Sequence, residues 1–271
     1  MNTRTILITG ASSGIGAALA REYARRGARL VLLARRSGRL ETLAAELRAA
    51  GAAVAVHGAD VTRAGDVAAA VAASTAAGWG IDVVVANAGF GVSGPLQKLT
   101  LADYRRQYET NVFGLLQTVY ETLPALRASR GRLALMGSVA GHAAAPGGSA
   151  YASSKFAVRA LAESLRGDLA ADGVGVTLIS PGFVDSDIRR TDNRGGLHAT
   201  APDPIPAWVR MRAPRAARIM ANAIDRGRAE VIVTLHGKLI VFCARHFPRS
   251  VRRLSVRYVR WRKEAAAAAG S

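Results

Sequence analysis

Three short stretches of this chain, Ile6-Leu-Ile8, Leu30-Val-Leu-Leu33 and Val83-Val-Val85, carry no polar residue at any position. A strand with one wet face alternates apolar and polar side chains. A strand without alternation must be covered on both faces, which is the situation inside a parallel sheet clad by helices. The Ala-rich amphipathic stretches between these runs supply the cladding, so the chain reads as repeated strand-helix-strand units. The pattern predicts strands near 4–9, 29–34, 53–57, 82–86, 131–137, 174–180 and 230–234, with helices filling the gaps. The expected fold class is α/β, a doubly wound parallel sheet in three layers, α/β/α. With 271 residues, half of them hydrophobic, length alone allows one large domain or two small ones.

Ligands of such sheets sit beyond the carboxyl ends of the strands, and the chemistry-bearing residues of this chain fall there. The first run leads into Thr9-Gly-Ala-Ser-Ser-Gly-Ile-Gly16. Gly10, Gly14 and Gly16 bare the backbone where a helix opens, so a dinucleotide pyrophosphate can approach the N–H groups of the turn, those of Ser12, Ser13 and Ile15 included. The spacing is Gly-x3-Gly-x-Gly, not Gly-x-Gly-x2-Gly. A glycine-rich turn alone is also an ordinary tight connection; the strand before it and the helix after it favour the nucleotide.

At the end of the second strand, where NAD-preferring folds carry an acidic residue for the ribose 2′-hydroxyl, stands Ala34-Arg35-Arg36. Arg35 can stack on adenine and pair with a 2′-phosphate, which favours NADP(H) as cofactor. Asp60-Val61 follows the third strand, where Asp60 can accept from the adenine amino group or, more plainly, cap a turn. Asn87-Ala88-Gly89 closes the fourth strand beside the ribose. Further on, Tyr151 and Lys155 stand at i and i+4 in Tyr-Ala-Ser-Ser-Lys, with Ser138 upstream. On one helix face the ammonium can lower the proton affinity of the phenol, while the hydroxyl points at a substrate oxygen.

In this set and order the residues resemble the short-chain dehydrogenase/reductase family, in the branch with Thr-Gly-x3-Gly-x-Gly and Tyr-x3-Lys signatures, over about residues 4–187. The resemblance implies a single Rossmann-type domain. It implies that Tyr151 is the general acid in carbonyl reduction and the base in alcohol oxidation. Lys155 would hold the nicotinamide ribose and tune the phenol, and Ser138 would bond the substrate oxygen. Asn111 would hold a water linking Lys155 to solvent. Pro181-Gly182 would border the nicotinamide, with the Val184 backbone and the Ser186 hydroxyl near the carboxamide; Ser186 stands where the family often has Thr. A homodimer or homotetramer through the helices containing Asn111 and Tyr151 is also implied.

The reading that follows is an NADP(H)-dependent oxidoreductase interconverting a carbonyl and an alcohol on an apolar, steroid-, retinoid- or lipid-like substrate. A 3-oxoacyl thioester reductase and a non-catalytic NADPH-binding sensor remain the alternatives. Residues 186–214, rich in Pro, Arg and Gly, read as a substrate lid that can bring Phe183, Ile188, Leu197 and Trp208 to an apolar pocket. His142 could face the substrate or be an ordinary loop histidine. His57, His198, His236 and His246 share no ligand spacing and Cys243 stands alone, so no metal site and no internal disulfide are expected.

The charge of +18 is unevenly placed: from Lys238 to Lys263 the chain carries nine Lys and Arg residues and no acidic one. Residues 1–237 are read as the catalytic domain and 238–271 as a basic extension. After Pro248, Val251, Leu254, Tyr258 and Trp261 recur at helical spacing among arginines, which predicts an amphipathic cationic helix. Over 248–263 that helix can lie on anionic lipid, or it can pack on the lid or a second subunit. No specific nucleic acid is expected, since charge alone argues for it. No export signal is read before the first strand and no apolar run reaches the roughly 20 residues of a membrane span. The expected location is cytoplasmic, with contact at the inner membrane face as an option.

Overall fold

The computed structural model describes residues 3–198, 200–203 and 205–257. All seven predicted strands are present: β1 (Thr5–Thr9), β2 (Arg29–Ala34), β3 (Val54–Gly58), β4 (Val83–Ala86), β5 (Arg132–Met136), β6 (Gly175–Ser180) and β7 (Glu230–Ile232). They form one parallel sheet in the order β3-β2-β1-β4-β5-β6-β7. The order reverses between β1 and β4, which opens a crevice at their carboxyl ends.

The unbroken apolar runs are explained by two cores, one on each face. Ile6, Ile8, Leu30 and Leu32 pack under α1 (Gly14–Arg25), α2 (Ser37–Ala49) and, later in the chain, α7 (Ala213–Asp225). Leu7, Val31 and Leu33 point the other way, against α3 (Asp66–Ala76), α5 (Gly114–Ser129) and α6 (Ser149–Asp168). Neighbouring residues of one strand thus serve opposite layers, as the pleat requires. One sheet with a core on each side confirms the single three-layer α/β/α domain and removes the two-domain option.

Between β4 and β5 the chain forms α4 (Leu101–Tyr108), then a π-helical turn over Glu109–Phe113, then α5. Thr100 starts α4 with a reciprocal capping box with Asp103. The segment read as a lid has little repetitive structure: a 3₁₀ turn at Asp187–Arg190 and isolated bridges between Val184 and Met211 and between Thr191 and Leu197.

β7 ends at Ile232, two residues earlier than predicted, because Thr234 opens α8 (Leu235–His246), its hydroxyl accepting from the Gly237 N–H at 3.2 Å. The domain boundary expected at 237 therefore falls inside α8, whose Gly237 and Val241 are buried. The chain is helical again over 248–257. Residues 258–271, with Tyr258, Arg260, Trp261, Arg262 and Lys263, lie outside the described residues. Among the described residues no helix is long and apolar enough to cross a membrane.

Candidate active site

The glycine turn is built from both sides of the crevice. Gly10 has φ 65°, and a side chain there would put its Cβ 2.8 Å from the Ala88 Cα. The close approach is held by Asn87, whose amide nitrogen donates to the carbonyls of Thr9 (2.9 Å) and Gly10 (3.3 Å). Thr9 returns the tie, its hydroxyl accepting from the N–H groups of Asn87 and Ala88. Asn87 is thus occupied in shaping the turn, and Thr9 has a part in it that the motif alone did not disclose. Ile15 packs into the core, leaving its backbone to the turn. Across the opening, the Ser186 Cβ lies 3.1 Å from where a Gly14 side chain would begin. A groove of about 810 Å³ runs from Ser12, Ser13 and Gly14 along α1, bordered by Ser186 and Asp187 of the lid; it does not include Ser138, Tyr151 or Lys155.

At the end of β2, Arg35 and Arg36 take different places. Arg35 is exposed and 3.9 Å from the Asp60 carboxylate. Arg36 instead folds onto the glycine turn, donating to the Ser13 hydroxyl at 2.8 Å and more weakly to Ser12 at 3.4 Å. Its pKa is lowered by burial and by the nearby Arg39 and Arg35 cations, against a pull from Asp187. Clustered like charges beside two serine hydroxyls are relieved by an anion, so the residues present fit the 2′-phosphate of a dinucleotide. Asp60 accepts from the N–H (3.0 Å) and hydroxyl (2.8 Å) of Thr62. Burial pushes its pKa up, but those bonds and Arg35 outweigh it, so the carboxyl stays ionised below the usual range. Val61 is buried in the core, its side chain against Gly114.

The catalytic-end residues come together at the carboxyl ends of β4, β5 and β6. Ser138 follows β5 and caps a 3₁₀ turn, accepting from the Ala140 N–H at 3.1 Å. Tyr151 and Lys155 lie one turn apart on α6, the ammonium 5.8 Å from the phenol ring centroid. Lys155 is buried and donates to the Met136 carbonyl at 2.7 Å. Burial without a carboxylate lowers its pKa to about 8. Burial raises the Tyr151 pKa, and the Ser138 hydroxyl and Arg189 cation offset part of that rise.

Asn111 occupies the π-helical turn and is buried. Its carboxamide brackets Phe90, accepting from the Phe90 N–H (3.1 Å) and donating to the Phe90 carbonyl (3.0 Å). It also reaches the Ser154 hydroxyl at 3.3 Å. Gln107 donates to the same carbonyl at 2.9 Å, so the loop after Gly89 is fixed by two amides one helical turn apart. Gln107 was not anticipated, because a single Gln on a helix carries no motif.

The lid closes the remaining side. Pro181 accepts from the Val139 N–H at 2.9 Å, tying the loop after β6 to the Ser138 turn. Gly182 has no room for a side chain, which would meet His236 Nε2 at 2.6 Å. His236 accepts from the Phe183 N–H at 3.0 Å and stacks on the Phe183 ring. The Val184 carbonyl is occupied by Arg189 (3.0 Å) and, at 3.3 Å, by Ser186. Arg189 also grips Asp203 with two bonds of 2.8 and 2.7 Å, and Arg210 joins the same carboxylate at 3.1 Å. Of the apolar lid residues, Ile188 comes up to the Tyr151 ring across Gly91: a Cβ placed on Gly91 would lie 3.6 Å from the ring and 3.7 Å from the Ile188 side chain. Trp208 is 87% exposed and lines nothing. His142 turns inward to Ser180 (3.1 Å) and Glu230 (3.0 Å), away from the substrate side. Among the described residues no three His, Cys, Asp or Glu side chains converge as a metal site.

Comparison with known proteins agrees with this geometry. The model of the short chain dehydrogenase family matches residues 4–195. An uncharacterized oxidoreductase of Myxococcus xanthus is 39% identical over 85% of this chain and 87% of its own length. Serine 3-dehydrogenase of Agrobacterium fabrum is 36% identical over 72% of this chain and 78% of its own. Among solved structures, a short-chain dehydrogenase from Sphingobium yanoikuyae in complex with NADPH superposes with a TM-score of 0.73 at 32% identity, covering 94% of this chain and 95% of that one. A short-chain dehydrogenase/reductase from Burkholderia phymatum in complex with NAD gives 0.80 at 27% identity, covering 90% and 93%.

Proposed function

Because this chain belongs to the short-chain dehydrogenase/reductase family of oxidoreductases, we propose that it uses NADP(H) to interconvert a carbonyl and a primary or secondary alcohol on an apolar substrate. The observation that carries the reading is the convergence of Ser138, Tyr151 and buried Lys155 at the same sheet edge as the Gly10–Gly16 turn and the Arg35, Arg36 and Arg39 cluster.

The cofactor supplies or accepts a hydride when bound. Backbone N–H groups of the glycine turn would receive its pyrophosphate, Arg36 and Arg35 its 2′-phosphate, and Pro181, Gly182, Val184 and Ser186 its carboxamide end. Tyr151, kept protonated at neutral pH by burial, gives its phenol proton to the substrate oxygen in reduction and takes it back in oxidation. Ser138 donates to that same oxygen and stabilises the charge developing on it. Lys155 holds a proton close to neutrality behind the phenol, which suits a group that re-supplies one. Asn111 fixes the Phe90 loop over this path. Ile188, beside the Tyr151 ring, makes this side of the site apolar, which supports a lipid-like over a charged substrate.

Exposed Phe113, Tyr120 and Phe156, on the π-helical turn, α5 and α6, support pairing of two copies along these helices.

The test is oxidation of NADPH, with NADH in parallel, against ketosteroids, retinal, aliphatic and aromatic aldehydes and acetoacetyl thioesters. Turnover of one apolar class with NADPH is expected. Turnover of thioesters alone would replace this reading with an acyl reductase, and tight NADPH binding without turnover would replace it with a sensor.

A further inference from the structure

α8 has two faces of opposite design. Gly237 and Val241 are buried against the body of the protein. Leu235, Leu239 and Phe242, at i, i+4 and i+7, share the other face and are 81%, 63% and 53% exposed. Phe247, 55% exposed, meets the Phe242 ring edge-on at 6.3 Å, and Leu254 on the next helix is 66% exposed. The sequence left open whether the helix over 248–263 lies on lipid or packs on the lid or a second subunit; Leu254 is exposed. Water is a poor environment for so much contiguous apolar surface, so the strip marks a contact.

Its charge says with what. From Lys238 to Arg257 the strip is flanked by Lys238, Arg245, Arg249, Arg252, Arg253 and Arg257, with no acidic residue in between. Arg245 is the one of these that forms an ion pair among the described residues, with Glu230 at 3.2 Å. A symmetric pairing of two copies through this face would set the basic strip against itself. Nucleic acid would take the arginines but has no use for exposed Leu and Phe. A surface that is anionic outside and apolar a few ångströms deeper satisfies both.

We propose that α8 and the basic helix over 248–257 dock this protein on the surface of an anionic lipid bilayer. Leu235, Leu239, Phe242, Phe247 and Leu254 enter the headgroup–acyl boundary and the arginines meet the lipid phosphates. The placement is peripheral, since no described helix can span the bilayer. His236, in the first turn of α8, stacks on Phe183 with ring centroids 5.3 Å apart. Docking on this face therefore sets the lid side of the site against the lipid; this last point rests on the apolar-substrate reading above, whereas the docking itself does not.

The experiment is co-sedimentation of the full chain with vesicles of phosphatidylglycerol and phosphatidylcholine, and with phosphatidylcholine alone, at low and high salt. Sedimentation that requires phosphatidylglycerol and weakens with salt is expected. The exposed-site double variant L239S/F242S should lower the partition coefficient about tenfold or more, given the apolar area removed from the contact. R249E/R252E/R253E should abolish it. Thermal melting of both variants checks that they fold. Equal sedimentation with phosphatidylcholine alone would overturn the proposal, as would unchanged binding by L239S/F242S. It would also fall if that variant changed the oligomeric state and not vesicle binding, or if duplex DNA were retained and vesicles were not. A chain that binds vesicles but turns over no carbonyl would leave the docking standing and remove the reductase reading.

Discussion

The two walls of the candidate active site are held by different forces. On the α6 side, Asn111 and Lys155 are buried, and Asn111, Lys155 and Ser138 are held by uncharged or backbone partners: the Phe90 loop, the Met136 carbonyl and the Ala140 N–H. On the lid side, the chain from Phe183 to Met211 has almost no regular structure, and its shape depends on the Arg189–Asp203–Arg210 ion cluster, Asp185 included. Packing and backbone bonds hold a geometry rigidly, whereas charge pairs hold a segment that can be released when one partner is lost. The difference separates a wall held by packing from a wall held by charge.

The comparison breaks first, if at all, at Tyr151. Tyr151→Phe should lower kcat by about 10²–10⁴, the usual share of a general acid, while NADPH affinity measured by fluorescence titration stays within about twofold. Retained turnover would mean the rigid wall does not carry the chemistry. Arg36→Ala should raise the NADPH KM by about 10–100-fold, the scale of a lost charged hydrogen bond or two, and leave NADH kinetics unchanged. Arg35→Ala should do less, because Arg35 stands exposed beside Asp60.

Asp203→Ala tests the other wall. It removes the carboxylate partner of Arg189, leaves Arg210 with Asp185 alone, and should raise substrate KM about tenfold with little loss of kcat, alongside faster hydrogen exchange over 184–211. A kcat loss as large as that of Tyr151→Phe would merge the two walls into one unit. The Arg189 guanidinium holds the Asp203 carboxyl well below the usual carboxylate range. A depressed carboxyl stabilises the fold above its unfolded pKa of about 4 and loses that stability only as pH falls through the lower folded value. Lid protection should therefore stay level from neutrality down to about pH 4 and fall only in stronger acid.

The smallest effect belongs to Lys155. Its pKa is lowered to about 8 in the folded chain, against 10.5 for a free lysine. Between those values the unfolded chain binds the extra proton, so the cofactor-free protein should gain stability as pH rises from about 8 to about 10.5. Melting curves should show this rise in the wild type and not in Lys155→Gln.

Sequence and structure agree wherever a local pattern had a physical cause. Seven strands could be read because parallel strands buried on both faces lose their polar alternation, and the meeting of Gly10, Ser138, Tyr151 and Lys155 at one sheet edge could be expected because each follows a strand or lies on the helix facing that edge. Other features left no such trace. Arg35 and Arg36 are neighbours in an extended segment, and only the fold decides which one turns onto Ser13. Arg189 and Asp203 meet across an irregular segment with no period to follow, and Trp208 looked like a pocket residue until its exposure was known. Val231-Ile-Val233 continues as apolar sequence past Ile232, while the strand stops because the Thr234 cap starts a helix.

The π-helical turn over Glu109–Phe113 has a further consequence. A π turn absorbs one surplus residue between α4 and α5 while letting both helices keep their facings. Deleting one residue there would close the turn to ordinary helix. Leu115, Val119 and Leu126 would stay on the core, but Asn111 would be withdrawn from Phe90. Foldability and activity are thus recorded in different currencies of the same helix: the first in its phase, the second in one residue of excess length. A chain shortened by that residue should melt nearly as the parent does and have lost its site.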